Sequence, residues 1–321
     1  MEMRALGSGG PPISVLGYGA WVTGADTARV PDAGSLERAI GAALETGMTW
    51  VDTAEIYGRG ASEEIVGRAV RGVRDDVLLV TKVGPTGAGS GMRPEEIRRA
   101  IDGSLRRLAT DRIDLYLLHW HDASVPIEET WGAMTGLVAE GRARFVGVSN
   151  FGEDLIERCL SVGPVHAVEN QLSLLHRADD GLAERLGARG IAFLAYGALA
   201  FGLLSGRVTD ATPLEASDWR AGTFARYEAN YFEELFAPGA IERSVALARG
   251  LDEIARKDGI PAAALALRWV VERPGVTAAV VGSTSVEHLR ANARAGSVRL
   301  DATTAARIDE LLARHAGEVS A

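Results

Sequence analysis

The sequence predicts an α/β fold, a (β/α)8 TIM barrel with an N-terminal β-hairpin, as a single domain over residues 1–321, and three observations carry that prediction. First, eight short apolar runs recur along the chain, at residues 14–20, 49–54, 77–83, 113–119, 143–150, 167–173, 192–199 and 277–283. Second, these runs are almost continuous in Val, Ile, Leu and Ala, the pattern of parallel strands covered on both faces. Third, amphipathic segments lie between them, which supplies the crossover that each parallel neighbour needs. A doubly wound sheet is the competing architecture. The first run, however, is not followed by the Gly-x-Gly-x-x-Gly turn with which such sheets bind dinucleotides.

The elements follow in order. Residues 4–16 read as a hairpin whose turn comes from Gly9, Gly10, Pro11 and Pro12, and its expected place is the bottom of the barrel. Residues 35–46 form a helix that Ser35 can cap and that Gly47 can end. Residues 94–108 form a helix with Pro94 in its first turn and Glu95 and Glu96 behind it, where acids complement the helix dipole. Helices follow at 127–140, 154–161 and 179–189, with Gly141 and Gly190 just past two of them, where a left-handed residue is wanted. From Gly202 to Pro238 the chain is rich in turn formers and in aromatics (Trp219, Phe224, Tyr227, Tyr231, Phe232 and Phe236). Such a long connection is usually functional.

Composition narrows the partners. With 47% hydrophobic residues the chain can build a large core, and a net charge of −9 argues against nucleic acid and acidic membrane surfaces. A local basic pocket for a phosphate is compatible with that balance. The one cysteine, Cys159, allows no internal disulfide, fits a reducing compartment, and reads as packing within a helix. Met1 to Arg4 carry no apolar signal region, and no run approaches the ~18 to 20 apolar residues of a membrane span. A cytoplasmic protein is expected. The sequence does not fix the oligomeric state.

In barrels of this kind the active site lies at the C-terminal ends of the strands. Those ends carry Gly19-Ala20-Trp21, Asp52 through Tyr57, Lys82, His119, Ser149-Asn150, Gln171, Tyr196 and Gly282-Ser283. A phenol has an ordinary pKa near ~10 and serves as a proton donor at neutral pH only if its phenolate is stabilised. Lys82 on the neighbouring strand can stabilise it, Asp52 can hold Lys82 charged, and His119 can hydrogen-bond a substrate oxygen. Singly, Tyr57 reads as a rim aromatic, Lys82 as a solvated strand end and His119 as a satisfied core histidine. Their convergence on successive strand ends favours the catalytic reading. Trp120 either narrows a substrate pocket or packs under the following helix.

Two further groups suggest a ligand site. Ser149, Asn150 and Gln171 offer the donors and acceptors that a carboxamide needs, or else cap strand ends. Tyr196 could lie flat against a planar ring. Gly202-Leu203-Leu204-Ser205-Gly206-Arg207 is a Gly-rich turn whose N–H groups could face an anion, with Arg207 and Arg220 as candidate phosphate clamps. Gly282-Ser283-Thr284-Ser285 precedes the helix-like Val286-Glu287-His288-Leu289, the usual barrel phosphate position.

These motifs together resemble the aldo-keto reductases. The carrying residues are the run Asp52 to Glu63 (Asp-Thr-Ala-x-x-Tyr-Gly-x-Gly-x-Ser-Glu), Thr81-Lys82-Val83, Asp114 to His119, Gly147-Val148-Ser149-Asn150-Phe151, Asn170-Gln171, Gly202 to Gly206 and Gly282-Ser283. The resemblance runs from Val15 to about Asn292 and is nearest to the bacterial branch that also resembles voltage-gated potassium channel beta subunits. It implies a barrel without a Rossmann domain that holds NADPH extended across its mouth. Tyr57 would be the general acid, Lys82 and Asp52 its tuning pair, and His119 the residue that orients the carbonyl. Ser149, Asn150 and Gln171 would hold the carboxamide, and Tyr196 would stack on the nicotinamide. Gly19, Ala20, Trp21, Asp52 and Gly197 would border the cofactor. Leu199, Gly202, Leu203 and Ser205 would wrap the pyrophosphate. Arg207 and Arg220 would approach the 2′-phosphate, while Gly282, Ser283, Thr284, His288 and Asn292 would line the adenosine end. Trp21 and Trp120 would shape the pocket with Tyr57 and His119.

The departures from the family pattern bear on cofactor choice. Many members have Lys or Arg near Thr284, where this chain has Ser283-Thr284-Ser285, and similar relatives have Gln and Glu where His288 and Ala291 stand. The expectation of NADPH over NADH therefore rests on Arg207 and Arg220. The implied activity is reduction of an aldehyde, a ketone or a keto-sugar to the alcohol. The alternative is a nucleotide-binding, redox-sensing subunit with little turnover. No metal is expected.

Overall fold

The computed structural model describes residues 1–23, 32–85, 92–206, 235–236 and 239–319. A short antiparallel pair, β1 (Met3–Ala5) and β2 (Pro12–Ser14), precedes eight parallel strands. These are β3 (Leu16–Gly19), β4 (Trp50–Asp52), β5 (Leu78–Val83), β6 (Ile113–Leu118), β7 (Ala143–Ser149), β8 (Ala167–Gln171), β9 (Ala192–Tyr196) and β10 (Val276–Val281). They close in the order β10-β3-β4-β5-β6-β7-β8-β9. Seven of the eight apolar runs contain one of them, and the eighth, 277–283, overlaps β10, which begins one residue earlier.

Around the barrel lie α1 (Ala33–Glu45), α2 (Ala61–Val70), α3 (Pro94–Leu108), α4 (Ile127–Ala139), α5 (Glu153–Val162), α6 (Asp180–Ala188), α7 (Ala240–Asp258), α8 (Ala262–Val271), α9 (Val286–Ala293) and α10 (Ala302–Val319). The start of α1 corrects the expectation that Ser35 caps it. Asp32 is the cap, its Oδ2 accepting from the Ser35 N–H at 3.0 Å, so Ser35 sits inside the first turn. Gly47, Gly141 and Gly190 do take the left-handed conformation, with φ of 91°, 72° and 73°. At the end of α3 an alanine, Ala109, takes it with φ 52°, a position no sequence signal marked.

The core is in two parts. Between strands and helices lies the larger, of Val, Leu, Ile and Ala with Trp131 and Met134. Inside the barrel Trp50, Val80, Leu115, Leu117, Ala167, Leu194 and Ala278 pack together, and Leu6 and Ile13 of the hairpin close this cluster from the N-terminal end. The hairpin is therefore the expected plug. Trp50 fills the bottom layer, with its Nε1 donating to Ser14 O at 2.9 Å. Only glycine fits at position 17, since a Cβ there would fall 2.1 Å from the Trp50 indole. Burying side chains of this size contributes about 1.5–3 kcal/mol each. On the outside, Glu128–Arg158, Glu153–Arg185 and Glu157–Arg189 join α4 to α5 and α5 to α6, but exposed pairs add little.

Cys159 is fully buried in α5, and burial pushes its thiol up to about 12, so it packs and does not react. No helix among the described residues is long and apolar enough to cross a membrane.

Candidate active site

Strand side chains alternate in direction with a period of two. The inner core residues Trp50, Val80, Leu117 and Leu194 are each followed two positions later by Asp52, Lys82, His119 and Tyr196. On β8, Ala167 is followed by Glu169 and Gln171. The bottom layers of the barrel are thus apolar and the top layer is a ring of polar and ionisable groups.

At its centre is Lys82, with no exposed surface. Its Nζ bonds Asp52 Oδ2 and also donates to Thr53 O at 3.2 Å. It lies 5.5 Å from the centre of the Tyr57 ring. The rings of Tyr57 and His119 meet edge-on at 5.7 Å and 75°. The four residues read from the strand ends therefore converge on one point. Burial works against the Lys82 charge, but Asp52, Glu169 and Tyr57 outweigh it and hold its pKa above the ordinary value. Burial, followed by the Lys82 charge, pushes His119 well below the usual imidazole range, so the ring is neutral.

Tyr57 differs from expectation in one respect. Lys82 does favour its ionised form through charge and a hydrogen bond. Burial, with Asp52 and Glu169 adding to it, is stronger and raises the phenol above its ordinary pKa. The ammonium offsets a desolvation cost and does not make the phenol acidic at rest.

Glu169 is the residue the sequence reading missed. It is 3% exposed, and its Oε1 lies 3.2 Å from Lys82 Nζ. Burial first, then the Asp52 charge, pushes its carboxyl up to about 8. The signal was present: Glu169 stands two residues before Gln171, so a strand that points Gln171 into the barrel points Glu169 there too. Reading only the last residue of each strand passed over it.

Tyr57 is held from behind by a second polar cluster. It opens a short turn in which Gly58 and Arg59 have φ of 56° and 55°, so the chain reverses immediately after the phenol. Glu55 Oε1 accepts from Gly84 N at 3.2 Å. Buried Glu63 accepts from Thr81 Oγ1 and Arg107 Nε, each at 2.6 Å. These bonds tie the turn to β5 and α3. Trp120 stacks on the His119 imidazole at 3.6 Å and 13°.

The amide group is also assembled. Asn150, with φ 62°, donates from Nδ2 to His119 O at 3.0 Å and to Ser149 Oγ at 3.2 Å, and Tyr196 donates its hydroxyl to Asn150 Oδ1 at 2.6 Å. Gln171 is different. Its Nε2 and Oε1 are both buried and have no hydrogen-bond partner among the described residues. A donor and an acceptor side by side and unpaired are costly unless a ligand meets both, and a carboxamide does so.

The aldo/keto reductase family profile matches residues 15–313. The chain is 33% identical over 299 residues to the aldo-keto reductase YhdN of Bacillus subtilis, covering 91% of this chain and 87% of that protein. It is 29% identical over 310 residues to a probable voltage-gated potassium channel subunit beta of Oryza sativa, covering 92% and 91%. Among solved structures, an aldo-keto reductase of Klebsiella pneumoniae in complex with NADPH superposes with a TM-score of 0.73 at 30% identity, covering 97% of this chain and 96% of that one. This chain belongs to the aldo/keto reductase family.

The far end of the reductase site is less complete. Trp21 meets Phe201 edge-on at 5.9 Å and 68°, which joins the end of β3 to the segment after β9. That segment, with Gly197 at φ 66° and Gly202 at φ 99°, is a tight turn ending at Ser205, whose hydroxyl donates to Gly202 O at 2.6 Å. The N–H groups of Ala200, Gly202 and Leu204 donate to Gly197 O and Leu199 O within the turn. The Gly202 and Leu204 N–H groups are thus paired inside the turn, and Leu203 is buried. Ser285 caps α9, and its N–H donates to Ser283 Oγ at 3.1 Å. Gly282 and Thr284 are exposed, His288 is half-buried and Asn292 is buried. Arg207 and Arg220 lie outside the described residues, as does most of the 202–238 insertion. No group of three or more potential metal ligands occurs among the described residues.

Proposed function

We propose that the chain is an NADPH-dependent oxidoreductase that reduces an aldehyde or ketone, a keto-sugar included, to the alcohol, with Tyr57 as general acid. The convergence of Tyr57, Lys82, Asp52 and His119 on one point at the barrel mouth carries this reading. The unpaired Gln171 amide fits the nicotinamide carboxamide, with Ser149 and Asn150 beside it and Tyr196 at the ring. A reduced nicotinamide bound there supplies the hydride.

The protein's own part is to place the carbonyl and move a proton. The substrate oxygen sits between the Tyr57 hydroxyl and neutral His119, which can donate one hydrogen bond without adding charge. As the carbonyl carbon gains hydride, the oxygen becomes an alkoxide, a stronger base than phenolate even with the Tyr57 pKa raised, and it takes the phenolic proton. The phenolate left behind faces the Lys82 ammonium, which Asp52 holds in place. Trp120, stacked on His119, and Trp21 are the proposed apolar lining of the substrate pocket, which fits a small carbonyl compound. Arg207 and Arg220 are the proposed 2′-phosphate contacts, on sequence grounds.

The test is titration of the purified protein with NADPH and with NADH, followed by tryptophan fluorescence and then by turnover with a panel of carbonyl compounds. Quenching at lower NADPH than NADH concentration, with turnover, is the expected result. Binding without turnover on any carbonyl would favour a redox-sensing subunit. No binding of either nucleotide would overturn the enzyme reading.

A further inference from the structure

We propose that Glu169 is a positioning residue of this site: it shares one proton with Asp52 across Lys82 and so sets the charge that Tyr57 faces. The inference rests on the reading of Tyr57 as the acid, and goes beyond it by adding a fifth ionisable residue to the four.

The geometry is specific. Lys82 Nζ bonds Asp52 Oδ2 on one side and lies 3.2 Å from Glu169 Oε1 on the other. The three groups are 0%, 3% and 3% exposed, so water screens none of them. With both carboxyls ionised, this dry cluster would carry one net negative charge. Two carboxylates on one site rarely both ionise, because each raises the other's proton affinity. Burial raises both carboxyls above their ordinary values, and the Asp52 charge raises Glu169 further, so the pair holds on to one proton. Glu169 Oε2 has no partner among the described residues, a costly position for an ionised oxygen. The groups facing this cluster are Asp52 at the end of β4, Lys82 on β5, Tyr57 in the loop after β4 and His119 after β6. Ser149 and Leu194, which pair with Glu169 across β7 and β9, carry no charge.

The consequence falls on Tyr57. While Glu169 holds its proton, Asp52 and Lys82 cancel, and the Lys82 ammonium next to the phenol is free to stabilise phenolate. When the proton leaves, a second carboxylate offsets that ammonium, and Tyr57 becomes a weaker acid. Both carboxylates act on Tyr57 in this raising direction. Glu169 thus ties the proton-donating strength of Tyr57 to pH in a range where Tyr57 itself stays protonated. One proton leaves the Asp52–Glu169 pair to solvent, and no bond other than that O–H changes.

The test is the Glu169→Gln variant of the full chain, which keeps the shape and the acceptor but cannot ionise. For wild type, reductive turnover at saturating NADPH should fall about tenfold between pH 7 and pH 9 as the pair loses its proton. In the variant, which has no second carboxyl to ionise beside Lys82, that fall should be absent over the same range. An unchanged profile would overturn the proposal. Infrared spectroscopy of the protein without substrate gives a second readout. Glu55 contributes a band of its own near pH 7, but that band is common to both proteins and cancels in the wild-type minus Glu169→Gln difference. A protonated carboxyl band in that difference at pH 7 that is lost by pH 9 supports the proposal, and no difference band overturns it. Tyr57→Phe, run alongside, separates the two claims: activity surviving in Tyr57→Phe would defeat the reading of Tyr57 as acid, whereas the infrared result would stand.

Discussion

Tyr196 donates its hydroxyl to Asn150 Oδ1 at 2.6 Å and so ties the end of β9 to the residue after β7. Asn150 holds a left-handed backbone, φ 62°, and directs its Nδ2 back to His119 O and Ser149 Oγ. The phenol of Tyr196 therefore fixes which way the Asn150 amide points, and through it one wall of the proposed nicotinamide pocket. Tyr196→Phe keeps the ring and removes this bond, which is worth about 0.5–1.5 kcal/mol. NADPH affinity should fall by about two- to tenfold, while turnover at saturating cofactor changes less. Fluorescence titration reads the first and steady-state kinetics the second. Unchanged affinity would mean that Asn150 is held well enough by His119 and Ser149 alone.

Tyr57→Phe removes the proton donor and little else, because the ring still meets His119 edge-on and still lies over Lys82. Turnover should drop by about 10²- to 10⁴-fold, the usual contribution of a positioned acid, with NADPH affinity retained. Loss of both would show that Tyr57 holds the site together instead of acting in it.

Lys82→Met leaves Asp52 and Glu169 facing each other in a dry interior with no cation between them. Removing one partner of a buried pair costs about 3–5 kcal/mol, measurable by urea unfolding. The loss should be greatest above pH 8 and shrink toward pH 5, as the two carboxyls take up protons. A deficit independent of pH would show that Lys82 stabilises the fold by packing.

The sequence showed the architecture well, because parallel strands buried on both faces leave unbroken apolar runs, and four of the helices between them had readable ends. It showed the tetrad for a related reason: Asp52, Lys82 and His119 close such runs, and a polar group at the end of an apolar strand is conspicuous. Glu169 was hidden because it interrupts a strand from within, where a lone acid is easily taken as a surface position. The self-bonded turn after Gly197 could not be read, since Ala200 and Phe201 adopt left-handed angles with nothing in their chemistry to announce it. The Asp32 cap lay just before the first residue of the helical pattern, where an acid and a serine compete to start a helix.

Glu55 gives the pH dependence of stability a separate origin from that of catalysis. Burial first, and the Glu63 charge, push its carboxyl up to about 7 from an ordinary 4.5, against a hydrogen bond from Gly84 N and the charge of Arg107. Between pH 4.5 and 7 the folded chain then holds a proton at Glu55 that the unfolded chain has lost. Stability at this site is greatest below the lower value, falls as pH rises through the window and is constant above the upper one. The full drop is about 3 kcal/mol. Glu55→Gln keeps an acceptor for Gly84 N and removes the titration. Relative to wild type, the variant should gain thermal stability at pH 8 and show no gain at pH 5. Comparing the two proteins at each pH cancels the contributions of Glu169 and the other titrating groups, so an equal difference in Tm at both pH values would show that Glu55 ionises at its ordinary pKa.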